Sequence, residues 1–304
     1  MAVDIIDRLG AAGDVPGQIA EQIVGAVETE SVAMTLGRRV PTSTKDSKIP
    51  VLTAVPEANW LSSDTGRKPV TSATWENQSI IAEELATIVV IPDAVLEDSE
   101  WDLWAAVRPL VARSFARRID RAVLFGEAAP ASFGTGLVAR AVAAGHVVAP
   151  TTDAAVDLLA AAEEVALTEH IATGAVVRPG WQFTAARQRT HDLVANPLDG
   201  ALYPLTLAGM GIRTNPVFWD PSKATAIIAA WENVLVGVRK DITFEMFNTG
   251  VLQDEDGAIA VNLLQQDSTA MRCVMRVGHH LATPVNGSGE AGVPVAVVDA
   301  PDTP

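Results

Sequence analysis

Between residues 99 and 126 the apolar positions Trp104, Val107, Val111, Phe115, Ile119 and Val123 recur every three or four residues. That is the period of a helix with one buried stripe. At about 1.5 Å per residue it predicts a rod roughly 40 Å long. Ser99, Glu100, Trp101 and Asp102 open it in a capping-box pattern, with Asp in place of the usual Glu, and Gly126 supplies a stop. Pro109 lies inside the pattern and predicts a kink. Its charges are segregated: Asp93, Glu97, Asp98, Glu100 and Asp102 precede or begin it, and Arg108, Arg113, Arg117, Arg118 and Arg121 fill its later turns. This polarity complements the helix dipole. Arg113, Arg117 and Arg121 are four apart and share one face.

Period-2 alternation marks other segments. Trp75, Asn77, Ser79 and Ile81 alternate with Thr74, Glu76, Gln78 and Ile80 without separating an apolar face. This suits a long, two-sided-polar hairpin projecting from the body better than a core strand. Short strand-like pieces lie around Val40, Ile49, Val51 and Leu52, and Asp64-Thr65-Gly66 reads as a turn. Ahead of it, residues 1–13 form a loose arm. Asp14 caps a short helix with Pro16 in its first turn, whose stripe is Ile19, Ile23, Val24 and Val27. Nothing local covers that stripe, so it must dock elsewhere on this chain or on a neighbour.

Residues 127–150 form a Gly-, Ala- and Pro-rich connection. A helix capped by Asp153 runs to about Glu169. A buried strand spans 175–177, a helix spans 181–192, and a short strand lies near Ile212. Residues 224–236 fit a helix or a strand. Ile242, Phe244 and Met246 alternate with Thr243, Glu245 and Phe247, and Asp256-Gly257 marks a hairpin tip. Residues 271–277 form another strand, and the tail from Pro284 is expected to be loose.

Composition narrows the function classes. The 304 residues suggest about one or two domains, and 37 acidic against 22 basic side chains give a net charge of −15. Bulk electrostatics therefore disfavours nucleic-acid binding by the whole chain. Yet the mean hydropathy is +0.22 with 19% charged residues, which fits a surface partly buried against other subunits. No apolar run reaches the ~18 residues of a membrane span. The acidic N-terminus is unlike a secretory signal, and the single cysteine, Cys273, excludes an intrachain disulfide framework. The expectation is a soluble protein of a reducing compartment.

Catalytic and cofactor patterns are weak. Gly134-Thr135-Gly136-Leu137-Val138-Ala139 matches a dinucleotide fingerprint, but a helix precedes it where that site needs a strand. The five histidines form no zinc-binding spacing, and adjacent His279 and His280 point to opposite faces of a strand. The acidic loop 254–257 lacks the downstream Glu of a calcium loop. We assign no catalytic residue, cofactor or metal, and the chain is expected not to be an enzyme. The arginine row fits either phosphate contact or ion pairing with acid on a neighbouring segment or subunit, and nearby acid favours the second. The seven tryptophans suit core and interface anchors.

The order of these features resembles the major capsid proteins of tailed phages, the Hong Kong 97-type fold. The resemblance covers about residues 15–285. It is carried by ANWLSSDTGRKPVTSATWENQSI, AEELATIVVIPDAVLEDSEWDLW, RRIDRAVLFGEAAPASFGTGL, LAGMGIRTNPVF, ENVLVGVRKDITFEM and QQDSTAMRCVMRVGHHLATP. It implies an α+β subunit with an N-terminal arm (1–37), an extended loop hairpin (38–82) and a peripheral domain with a spine helix (83–150). An axial domain (151–238), returning peripheral-domain strands (239–285) and a C-terminal tail (286–304) complete it. It also implies assembly into hexamers and pentamers of an icosahedral shell around non-specifically held double-stranded DNA, in the virion, after assembly in the host cytoplasm. Scaffolding, portal or decoration proteins are further implied partners, and a membrane is not. Expected inter-subunit contacts are Ile19, Ile23 and Val27 of the arm, Lys45, Lys48, Trp60, Arg67 and Lys68 of the hairpin, and Arg113, Arg117 and Arg121 of the helix. Where the family commonly has a Glu soon after the hairpin Trp, this chain has Leu61, Ser62, Ser63 and Asp64. An encapsulin-like nanocompartment shell and a soluble α/β enzyme are the alternatives.

Overall fold

The structure is a computed structural model. It describes Val27 and residues 30–56, 58–61, 67–68, 70–98, 103–188, 194–195, 205–215, 217–254, 256–286 and 289–300. Chain order begins with helix α1 (Val32–Leu36) and strand β1 (Arg38–Pro41), then the pair β2 (Asp46–Ala54) and β3 (Thr74–Ile81). Strand β4 (Glu83–Pro92), α2 (Asp93–Asp98) and the 23-residue α3 (Leu103–Phe125) follow. The middle of the chain gives α4 (Leu137–Ala144), β5 (Val147–Val148), α5 (Ala154–Leu167), β6 (Gly174–Val177) and α6 (Trp181–Gln188). Then come β7 (Val194–Ala195), β8 (Leu205–Leu207), β9 (Met210–Thr214) and β10 (Ala226–Ala229). The chain closes with β11 (Val234–Phe247), β12 (Val251–Gln253), β13 (Ile259–Asn262), β14 (Ser268–Leu281) and β15 (Val295–Val298).

Two sheets organise these elements. A four-stranded sheet has the order β1-β11-β14-β4, with β1 parallel to β11 and the other pairs antiparallel. One of its faces supplies Met271, Cys273, Met275 and Val277 to the core under α3, whose Val111, Phe115, Ile119 and Val123 are all buried there. Each such fully buried large side chain contributes about 1.5–3 kcal/mol. The periodic stripe is therefore the buried face of α3. Pro109 lies inside the helix, whereas the Ser99–Asp102 capping pattern falls outside the described residues.

The second sheet has the order β5-β15-β10-β6-β9-β8-β7. Strands β6, β10 and β15 are buried at every position. Their alternate residues serve two cores. Val176, Ile227, Ala229, Val295 and Val297 face α3 and α4, while Ala175, Val177, Ala226, Ile228, Ala296 and Val298 face α5 and α6. Continuous apolar runs are what a strand covered on both faces requires.

This arrangement corrects two expectations and decides a third between its alternatives. The tail from Pro284 is not loose throughout: β15 is a central strand between β10 and β5. Its short unpatterned run, VAVV, gives no amphipathic signal. Residues 224–236 hold a strand, a 3-10 turn at Trp231–Asn233 and the start of β11. The stretch 127–150 contains a helix, α4, which buries Leu137, Val138 and Ala141 and ends on left-handed Gly145. It is too short for a periodic pattern to show. Gly126 ends α3 at φ 67°, and a Cβ on Gly136 would lie 2.2 Å from the Gly126 nitrogen, so this crossing admits only glycine.

Candidate assembly interface

The β2–β3 hairpin is seated at its base and bare beyond it; the expected Asp64-Thr65-Gly66 turn lies outside the described residues. Gly237 and Gly278 stand opposite each other on β11 and β14. A Cβ on either would lie within 2.8 Å of Ile80 Cγ2, so the glycine pair is a notch that this buried side chain fills. Val51, Leu235 and Ala282 close a small core around it. His280 Nε2 donates to Gln78 Oε1 at 2.8 Å, and the Val285 amide donates to the Leu52 carbonyl at 3.3 Å. The hairpin therefore lies on the sheet face opposite α3. Beyond its base, apolar side chains have no cover: Trp60 is 102% exposed, Val70 97% and Trp75 63%. Lys48, Arg67 and Lys68 are exposed. Lys45 is exposed too and stands 3.9 Å from Glu83.

The arm joins the opposite side. Ser31 caps α1, and its hydroxyl donates to Asp120 Oδ1 of α3 at 2.7 Å. Asp120 also accepts the Val32 amide at 3.1 Å, the Ala33 amide at 3.0 Å and Asn215 Nδ2 at 2.9 Å. The oxygen of that side-chain amide, Asn215 Oδ1, accepts the Val217 and Phe218 backbone amides. One buried carboxylate thus ties together the arm, the long helix and the loop after β9. Burial pushes its pKa up, while the four donors pull it down, and burial wins. Asp120 and Asn215 were not singled out from sequence. The available signal was an acid in a second buried stripe, after Ala112 and Ala116 at steps of four.

Of the arm residues expected to meet neighbours, Ile19 and Ile23 fall outside the described residues, and Val27 is buried in the main core of its own chain. The arginine row divides. Arg113 makes a two-pronged pair with Glu30 at 3.0 and 3.2 Å. Arg121 pairs with Glu127 at 2.7 Å, and Glu127 also takes Lys223 at 2.6 Å. Arg117 and Arg121 lie over the Phe218 ring, 5.9 and 5.1 Å from its centroid. Two of the three therefore use local acid, as the excess of nearby carboxylates suggested.

The open face of the four-stranded sheet carries its own arginines. Arg276 pairs with Glu84 at 3.0 Å, and Arg272 pairs with Glu245 while lying over Phe247. Buried groups in the same sheet are inert. Burial pushes the Cys273 thiol up to about 11 and the His279 imidazole down to about 3. The neutral His279 ring donates from Nδ1 to the Leu235 carbonyl at 3.2 Å. Among the described residues, no group of three or more His, Cys, Asp and Glu could hold a metal, and no helix is long and apolar enough to cross a membrane.

A hairpin with exposed aromatic side chains beyond its base, an entry helix clipped onto a long helix and two sheets packed on that helix have known counterparts. Residues 13–285 match the profile of the phage capsid family. The chain belongs to that family. The major capsid protein of Staphylococcus phage 80alpha is 24% identical to it over 284 residues, 89% of this chain and 82% of the relative. A solved chain from Mycobacterium phage Adephagia superposes with a TM-score of 0.76 at 28% identity, covering 90% of this chain and 91% of its own. One from Mycobacterium phage Cain gives 0.75 at 28% identity, covering 90% and 92%. This phage major capsid protein is a structural subunit, and its place is the virion capsid.

Proposed function

We propose that this capsid protein closes an icosahedral shell of hexamers and pentamers around double-stranded DNA, with the Hong Kong 97-type division of labour. In that division residues 1–37 are the arm, 38–82 the extended loop, 83–150 the peripheral domain with α3 as its spine, and 151–238 the axial domain. Residues 239–285 are the returning peripheral strands, and 286–304 are the tail that adds β15 to the axial sheet. Scaffolding, portal or decoration proteins would join the shell during assembly in the host cytoplasm.

The observation that carries this reading is the hairpin. Trp60, Val70 and Trp75 are exposed on a two-stranded projection whose own core ends at Ile80 and Val51. A lone two-stranded ribbon is marginal in water, and exposed aromatic side chains of this kind mark binding surfaces. A neighbouring copy covers them, with Lys48, Arg67 and Lys68 of the hairpin meeting that copy's excess acid. Many such modest contacts per subunit give a stable closed shell.

Size-exclusion chromatography with negative-stain imaging tests the reading. Rings or shells are the expected result. A single species of about 32 kDa at high concentration, given the 31.9 kDa chain, overturns it.

A further inference from the structure

At the carboxyl ends of the parallel strands β6 and β9, where Val177 and Thr214 are register partners, the chain opens a recess of about 360 Å³. Arg178, Pro179, Asn215, Val217, Phe218 and Trp219 line it, so most of its wall is apolar. Two of its polar side chains are already spent. Asn215 donates to Asp120 and accepts the Val217 and Phe218 amides, and Trp219 Nε1 donates to the Ala224 carbonyl at 2.8 Å. Arg178 is not spent. It forms no ion pair among the described residues, and its Nε is buried without a hydrogen-bond partner.

Five buried side-chain polar atoms lack a partner among the described residues, and Arg178 Nε is the one that belongs to a cation. A buried donor left unpaired destabilises a fold unless something outside the chain supplies the acceptor. The matching acceptor is planar and anionic, because a guanidinium presents its N–H groups as a fork that fits a carboxylate. The apolar wall suits the methylenes of an Asp or Glu side chain. A polyanion backbone would need further cations, and Arg178 is the only one in the lining. Acidic side chains outnumber basic ones 37 to 22, so a facing copy of this chain presents carboxylates in excess. The rim continues the pattern: Pro179 is exposed, and Phe183, in the first turn of α6, is 61% exposed. An arginine anchor ringed by apolar surface is the usual make-up of an interface hot spot.

We infer that the Arg178 recess is an interaction site for a second copy of this chain, which inserts an aspartate or glutamate side chain and accepts the Nε hydrogen bond. The inference rests on the shell reading above and adds a contact from the seven-stranded sheet to that of the hairpin. Arg178 then burdens the lone subunit and stabilises the assembled one.

Denaturant unfolding of dissociated subunits and sedimentation of assembly reactions, both on the full-length protein, test this with three variants. Arg178→Met keeps an unbranched apolar stem and removes the unpaired donor. Its dissociated subunit should unfold at the wild-type midpoint or above it, while the threshold concentration for shell formation should rise about tenfold or more. Arg178→Lys, which keeps the charge without the fork, should fall between Arg178→Met and the wild type in assembly. Arg213→Met, which removes an exposed arginine of β9, should match the wild type in both measurements. A clearly lower unfolding midpoint for the dissociated Arg178→Met subunit overturns the inference, because the occupant would then be a carboxylate of the same chain. An equal assembly defect in Arg213→Met also overturns it, by reducing the effect to net charge. Wild-type protein that never assembles sinks the shell reading and the occupant with it. Normal shells from the wild type and from Arg178→Met at the same threshold sink this inference alone.

Discussion

Ser31 and Asp120 lie 89 residues apart in sequence and share a 2.7 Å hydrogen bond in the interior. The contact makes the arm's entry helix and the long helix one unit, and Asn215 extends it to the second sheet. Asp120→Ala would leave the Ser31 hydroxyl, two amides and the Asn215 side chain without their acceptor. Each unsatisfied buried donor costs about 1–3 kcal/mol, so a loss of roughly 3–5 kcal/mol is expected, in line with removing one partner from a buried polar network. Denaturant unfolding of dissociated subunits checks this. A loss below about 1 kcal/mol would show that the network does not hold the arm.

His279 sets an acid limit. Its folded pKa of about 3 lies below the ordinary 6.5, so between those values the unfolded chain binds a proton that the folded chain does not. Stability from this residue is complete above pH 6.5 and is lost as pH falls toward 3, by up to about 1.4 kcal/mol per unit. The burial of His280 lowers its pKa too and acts in the same sense. His279→Gln should flatten the pH dependence of the unfolding midpoint in that window. A variant that tracks the wild type down to pH 3 would exclude His279 as the source.

The notch of Gly237 and Gly278 predicts a coupled pair of substitutions. In Gly237→Ala the new methyl would meet Ile80 Cγ2 at 2.8 Å. Overpacking of this kind costs about 1–3 kcal/mol. Ile80→Ala alone should also destabilise, by emptying the notch. The double variant should lose clearly less than the sum, because the shorter side chain makes room for the methyl. Simple additivity in a double-mutant cycle would mean that the hairpin base is not seated there.

Trp60 separates folding from assembly. Its side chain is fully exposed, so Trp60→Ala should leave subunit unfolding within about 0.5 kcal/mol of the wild type. Shell yield, measured by sedimentation, should fall strongly under the same conditions. Normal shells from this variant would remove Trp60 from the interface.

The sequence by itself determined the parts whose pattern is local. The long helix came from a 3.6-residue stripe, β3 from its alternation, the 251–261 hairpin from Asp256-Gly257, and α5 from the Asp153 cap. In each case the physical cause lies within one or two turns of chain. The resemblance of ordered segments carried the capsid reading, which the family match then established. Only the tertiary structure decided the placement of β15, because a four-residue apolar run looks the same in a tail as in a sheet centre. It alone paired Gly237 with Gly278 beneath Ile80, and it alone put Asp120 against Ser31 and Asn215. Those contacts join residues far apart in sequence, and nothing in the spacing of either partner encodes the other. The arginine row shows both levels at once. The shared face is local to the helix, and the fold then matched Arg113 and Arg121 to acid while giving Arg117 and Arg118 no carboxylate among the described residues.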